Sequence, residues 1–145
     1  MFSFDIESMY PMLPLHQDFS DYTSFQDPIS GKIMKYTRVP FGLSTAPAFA
    51  SAVSAEIRAI ILKKTGKDFS TYLDDFAGKD QSLEQSNLAL DSAIDVLHHL
   101  GLKAAAKKTE RPKTKIVYRG YLIDSKRMQL SVKPAHAVWI VKTLT

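Results

Sequence analysis

Apolar and polar residues alternate from the start of the chain. Phe2, Phe4 and Ile6 are apolar and Ser3 and Asp5 polar, which is the period of a β-strand. Pro11 and Pro14 predict a break in regular structure around Tyr10, Met12 and Leu15. Residues 21–25 and 33–39 read as paired strands, with Asp27-Pro28-Ile29-Ser30-Gly31 as the turn between them. Residues 40–47 form a loop into a helix that Ser44 or Thr45 caps and Pro47 enters in its first turn. Phe49, Val53, Ile57, Ile60 and Ile61 supply the apolar face of that helix, Lys63 and Lys64 suit its C-terminal dipole, and Gly66 ends it. Two short strands then flank a tight turn at Tyr72-Leu73-Asp74-Asp75. Ser82-Leu83-Glu84-Gln85 is a capping box for a second helix, which turns Leu83, Leu90, Ile94, Leu97 and Leu100 inward and closes at Gly101. His98 and His99 are adjacent and so share no helix face; compensation of the helix dipole is their expected role. Residues 103–115 are basic and weakly patterned, and residues 116–123 and 128–132 predict a hairpin turning at 124–127. Residues 134–144 begin a further helix bearing Val138, Trp139, Ile140 and Leu144.

The order is strand, inserted hairpin, helix, hairpin, helix, strand, hairpin. Two helices on one face of an antiparallel sheet accommodate it, an α+β sandwich. The 145 residues suit one domain, and 45% hydrophobic with 23% charged residues is an ordinary globular balance. With no cysteine, disulfide scaffolds, thiolate metal sites and cysteine nucleophiles are excluded. The sequence shows neither an apolar run of membrane-spanning length nor a signal-peptide pattern, so a soluble, intracellular protein is expected, in cytoplasm or nucleus. A central strand starting at residue 2 predicts that N-terminal sequence is missing.

Charge divides the chain. Residues 1–100 carry eight Lys or Arg against thirteen Asp or Glu, a balance of −5; residues 101–145 carry eleven against two, a balance of +9. An acidic part suited to a metal is followed by a basic part suited to a polyanion. Asp74 and Asp75 alone describe an acidic turn. Close carboxylates repel, however, and a shared proton or a divalent cation relieves the repulsion. Asp5, between Phe4 and Ile6, is a third carboxylate. If its strand pairs beside the Asp74-Asp75 hairpin, an oxygen-rich cluster suited to Mg²⁺ gathers at one end of a sheet.

Taken in order, several motifs resemble those of the palm of a reverse transcriptase of retrotransposon or retroviral type. Phe4-Asp5-Ile6-Glu7-Ser8-Met9-Tyr10 resembles the first catalytic motif, an Asp followed five residues later by an aromatic. Residues 39–47 resemble the Pro-x-Gly loop and its helix, with Phe41 as in retrotransposons where retroviral enzymes usually carry Gln. Tyr72-Leu73-Asp74-Asp75 matches the Tyr-x-Asp-Asp box, residues 101–108 the fourth motif with its lysines, and residues 118–122 the primer-grip hairpin. The fourth motif departs in carrying Ala104-Ala105-Ala106 for the commoner Leu-Asn-Pro, and Phe49 falls one position early.

The resemblance implies a ferredoxin-like palm over residues 1–133, a partial fingers hairpin at about 11–40, and the start of a truncated thumb at 134–145. It implies an RNA-directed DNA polymerase core that adds deoxynucleotides to a primer 3′ end with two Mg²⁺ ions, or Mn²⁺ in their place. Asp5 and Asp74 would hold the metals, with Asp75 a weaker ligand and the Ile6 carbonyl completing one site. Tyr10 would lie under the incoming sugar and exclude a 2′-hydroxyl, with Phe41 and Gly42 lining the nucleotide pocket. Tyr72, Tyr118 and Arg119 would seat the primer and template, and Lys108, or less favourably Lys107, would protonate the leaving pyrophosphate. The implied partners are an RNA or DNA template with primer, deoxynucleoside triphosphates, and the fingers and thumb of a larger retroelement polyprotein, with no membrane. The alternative is an inactive remnant of such an element that holds nucleic acid through its basic part. An unrelated metal-dependent phosphotransfer enzyme leaves the order of the motifs unexplained.

Overall fold

In chain order the elements are β1 (Phe2–Asp5), α1 (Met9–Met12), α2 (Gln17–Ser20), β2 (Ser24–Gln26), β3 (Ile33–Lys35), α3 (Ala46–Thr65), β4 (Ser70–Tyr72), β5 (Asp75–Gly78), α4 (Leu83–His99), β6 (Lys115–Tyr118), β7 (Tyr121–Asp124) and β8 (Gln129–Val132). They are seen in a computed structural model that describes residues 1–132; the expected thumb start at 134–145 lies outside the described residues. The central sheet is antiparallel with order β1-β5-β4, and its register sets Phe2 against Gly78, Phe4 against Phe76 and Asp5 against Asp75. Helices α3 and α4 pack on each other and on this sheet, α3 against β4 and α4 against β5. The architecture is the expected α+β palm.

Aromatic rings build the core beneath the sheet. Phe2, Phe4 and Phe76 are fully buried, and full burial of such a ring contributes roughly 1.5–3 kcal/mol. Phe4 stacks on Phe76 at 5.0 Å and meets Phe69 edge-on at 6.3 Å. Ser3, on the other face of β1, is also buried, because residue 110 pairs with it through Ser3 N–H to Glu110 O and Glu110 N–H to Ser3 O. The weakly patterned basic stretch thus runs along the free edge of β1. Ile6 bridges Ala104, Glu7 N–H donates to Lys103 O, and Ala105 N–H donates to Asp5 O. Backbone bonds hold this segment, so no hydrophobic period marks it in the sequence.

Both long helices bury part of the expected stripe, Ile57 and Ile61 in α3 and Leu90 and Leu97 in α4. Val53 and Ile94 are partly buried against the core, but mainly small residues fill the rest of each buried face. α3 buries Ala46, Ala50, Ser54, Ile57 and Ile61, leaving Phe49 and Ile60 exposed. α4 buries Ser86, Ala89, Leu90, Ala93, Val96 and Leu97, leaving Leu83 and Leu100 exposed. Small residues line these faces because the helices approach the sheet and each other closely, which large side chains would prevent. The ends follow the sequence more closely. Ser82 accepts the Gln85 N–H at 3.1 Å, and Gly66 ends α3 in the left-handed region. Thr45 stands at the N-cap of α3 without a capping side-chain bond.

Three further expectations change. Pro11 lies inside α1, tolerated because the first turn has no partner for the N–H it lacks. Residues 21–23 form a 3-10 turn, so the 21–25 strand shortens to β2, paired with β3 in a separate ribbon. The long strand at 116–123 is instead the β6–β7 hairpin. It reverses at Arg119-Gly120, both at positive φ (51° and 83°), and β8 extends it to three strands. No described helix is long and apolar enough to cross a membrane.

Candidate active site

The Tyr72–Asp75 register leaves Leu73 and Asp74 as the two-residue tip between β4 and β5. Leu73 has φ 54°, a left-handed conformation that costs a non-glycine residue roughly 1–2 kcal/mol. The tip is held from outside the hairpin. Ile6 N–H donates to Asp74 O at 3.0 Å, and the Ser54 hydroxyl of α3 donates to Leu73 O. Beside the tip, the β1–β5 register faces Asp5 directly toward Asp75.

The two carboxylates interact as like charges in a partly closed site. Burial, a hydrogen bond with Asp5 and the negative charges of Asp5 and Asp74 push the Asp75 carboxyl up to about 7, against a smaller opposing pull from Lys108. The Lys108 ammonium is ion-paired with Asp5, whose side chain is only 14% exposed. That contact raises the lysine's proton affinity and keeps it charged. Lys108 reaches Asp5 because Ala105 is tied to the Asp5 carbonyl and a turn follows, closed by Lys108 N–H and Thr109 N–H donating to Ala105 O. Asp5, Asp75 and Lys108 therefore meet in one cluster, and Asp74 adds its field from the tip.

The remaining candidates fall into two groups. Residues 13–15 pair with 37–39 through Leu15 N–H to Thr37 O and Val39 N–H to Leu13 O, which carries the loop at 40–45 beside α1. The Tyr10 and Phe41 rings meet there at 5.3 Å, tilted 52°. Gly42 follows at φ 88° with open space where a side chain would project. At the other side of the tip, the Arg119 guanidinium lies 3.9 Å from the Tyr72 ring centroid. Tyr118, one residue earlier, sits with its hydroxyl 3.4 Å from the Ser70 hydroxyl. Lys107 is exposed and forms no ion pair among the described residues.

Among the described residues, no group of three or more His, Asp or Glu side chains is gathered as a ready-made metal cage. The expected three-carboxylate cluster is thus a close pair, Asp5 and Asp75, with Asp74 beside it. Mg²⁺ commonly binds through one or two carboxylates together with substrate phosphates and waters. The hard oxygens here fit that pattern, and the Ile6 carbonyl accepts no backbone hydrogen bond among the described residues. Sequence reasoning overlooked Ser54. Its signal was available as the polar member of the small-residue stripe Ala46, Ala50, Ser54, Ile57.

An antiparallel palm sheet that presents a carboxylate hairpin beside an Asp-bearing strand places the molecule in the polymerase-palm class. Residues 1–123 match the family described as reverse transcriptase (RNA-dependent DNA polymerase), and the chain belongs to that family. Among solved structures it resembles the foamy viral protease-reverse transcriptase in complex with an RNA/DNA hybrid, at TM-score 0.81 and 20% identity over 96% of this chain and 18% of that one. The foamy viral enzyme designated dRH, in complex with double-stranded DNA, gives TM-score 0.81 and 20% identity over 96% of this chain and 23% of that one. A further foamy viral complex with double-stranded DNA gives TM-score 0.81 and 19% identity over 96% and 27%. The chain spans between 18% and 27% of these structures' length, and at such identity they speak to the fold. No curated protein sequence matches the chain.

Proposed function

We propose that this chain is the palm of an RNA-directed DNA polymerase that joins deoxynucleotides to a primer 3′ end by two-metal chemistry, as part of a longer retroelement protein. The observation that carries the reading is the register of Asp5 against Asp75 beside the Asp74 tip, within a family-matched fold. Asp5, Asp74 and the Ile6 carbonyl would hold Mg²⁺, or Mn²⁺, with Asp75 as the weaker ligand. Bound there, the ions would make the primer 3′-oxygen a better nucleophile and offset charge on the leaving pyrophosphate.

The chain's own groups supply the rest. Lys108 is kept protonated beside Asp5, so it carries the proton that a departing pyrophosphate oxygen needs once it turns from Asp5. Tyr10, backed by Phe41, forms a wall under the sugar that leaves no room for a 2′-hydroxyl. Gly42 lets the backbone approach the nucleotide. Tyr72, Arg119 and Tyr118 form the face against which the primer strand rests.

The test is primer extension on an RNA template with Mg²⁺ and deoxynucleotides, using this chain and a version extended at both ends. The extended protein should synthesise DNA, and Asp74→Asn should lower its rate at least a hundredfold; an unchanged rate, or an inactive extended protein, ends the reading. Tyr10→Ala should admit ribonucleotides. A second reading, nucleic-acid binding without polymerisation, is favoured by the Lys108–Asp5 ion pair, which already neutralises one metal ligand. Template-primer binding by an extended protein that makes no DNA would select it.

A further inference from the structure

We infer that Ser54, buried in α3 and outside every motif, is a positioning residue that aims the Asp74 carboxylate. The inference rests on the metal-site reading above. The direction of an aspartate's Cα–Cβ bond, from which its few staggered rotamers project the carboxylate, is set by the orientation of the two peptide planes that flank the residue. At Asp74 each flanking plane is tied by its carbonyl to a different element. The plane after Asp74 is fixed by Ile6 N–H of the segment following β1, at 3.0 Å. The plane before it is fixed by the Ser54 hydroxyl through Leu73 O.

Ser54 is 1% exposed, so its hydroxyl has no water to turn to. A helical serine or threonine commonly bonds the carbonyl four residues back, as Thr65 does with Ile61 O at 2.8 Å in this same helix. Ser54 instead reaches out of the helix. Its other neighbour is the Met9 sulfur at 3.8 Å, a weak acceptor next to a carbonyl oxygen, so the single O–H proton goes to Leu73. Leu73 is also the residue held at positive φ, where a bond from outside the hairpin opposes relaxation to an extended form. One hydroxyl thus ties the long helix to the tip, while the Met9 contact connects it to the turn that carries Tyr10.

The test compares the full chain with Ser54→Ala, which removes the hydroxyl, and Ser54→Thr, which keeps it. Mn²⁺ is titrated while paramagnetic broadening of the Asp74 amide is followed by NMR, and the Leu73 carbonyl shift is recorded without metal. Ser54→Ala should weaken Mn²⁺ binding roughly tenfold, the usual scale for losing a group that orients a ligand. It should also move the Leu73 carbonyl resonance while the melting temperature changes little, and Ser54→Thr should restore both. Unchanged Mn²⁺ affinity in Ser54→Ala, or an unchanged Leu73 resonance, overturns the role. If the wild-type chain binds no Mn²⁺, the metal reading fails and the resonances decide alone: a displaced Leu73 carbonyl with altered Asp74 signals upholds the positioning role, and unaltered signals overturn it. Should Ser54→Ala not fold, Ser54→Cys, close in volume and a weaker donor, takes its place under the same criteria.

Discussion

Asp75 faces Asp5 across a pair of strands, and its elevated proton affinity carries a pH dependence of definite sign. Its folded pKa of about 7 lies above the ordinary 3.8, so the native state binds this proton more tightly than the unfolded chain does. The stability gained is fully present below pH 3.8 and is lost as pH rises through 7. The partly buried N-terminal amine works in the opposite sense, because burial lowers its pKa from 8.0 and favours the neutral form as pH rises. Asp75→Asn separates the two. The wild-type melting temperature should fall between pH 5 and pH 7.5 relative to the Asn variant, and equal pH profiles would show that Asp75 titrates normally. At this scale the motifs drew attention to residues that the structure brings together: Asp5 faces Asp75 and pairs with Lys108, Asp74 stands at the adjoining tip, and the Tyr10 and Phe41 rings meet. The pairing of Arg119 with Tyr72 arises from a contact between distant segments that no local pattern encodes, and the small-residue stripe that marks Ser54 does not reveal its partner, Leu73.

Among the elements, β1 and β5 approach so closely that residue size becomes decisive. Gly78 lies opposite Phe2 in the register, and a Cβ built on it would stand 2.3 Å from the Phe2 ring. Phe2 is fully buried and touches Phe69 edge-on at 5.5 Å, so its ring has little freedom to withdraw. Gly78→Ala should therefore destabilise the chain by roughly 1–3 kcal/mol, the usual cost of overpacking a tight core. Urea unfolding reads this directly, and a change under about 0.5 kcal/mol would mean that the ring gives way. The sequence led correctly to Ile57, Ile61, Leu90 and Leu97, and the same closeness explains why it misplaced other parts of the helix faces. Both helices present Ala and Ser to their neighbours, whereas a search for large apolar side chains favoured Phe49, Ile60, Leu83 and Leu100. The β6–β7 turn was hidden for another reason. Apolar residues on both sides of Arg119-Gly120 look like one strand until Gly120 is read as the second residue of a tight turn.

Across the whole molecule, charge asymmetry is the feature most plainly legible in the sequence, and it predicts how binding responds to salt. With a +9 balance for residues 101–145 against −5 for residues 1–100, any attraction to phosphate is predicted to fall on the second part. Many of its cations are engaged: Lys108 pairs with Asp5, Arg111 with Asp91, Lys113 with Glu110 and Lys115 with Asp124. Arg119 is exposed, makes no ion pair among the described residues and lies over Tyr72 at the tip, so its charge is available to a primer phosphate. Lys63, in the last turn of α3, is a cation of the acidic part and serves as the control. Template-primer affinity should fall as salt rises. Arg119→Ala should weaken binding and reduce the slope of log affinity against log salt by about one, the signature of one lost phosphate contact. Lys63→Ala should leave that slope unchanged. If both substitutions lower it equally, attraction is spread over the entire surface and the tip has no privileged contact with the primer. If neither does, the asymmetry serves some purpose other than holding nucleic acid.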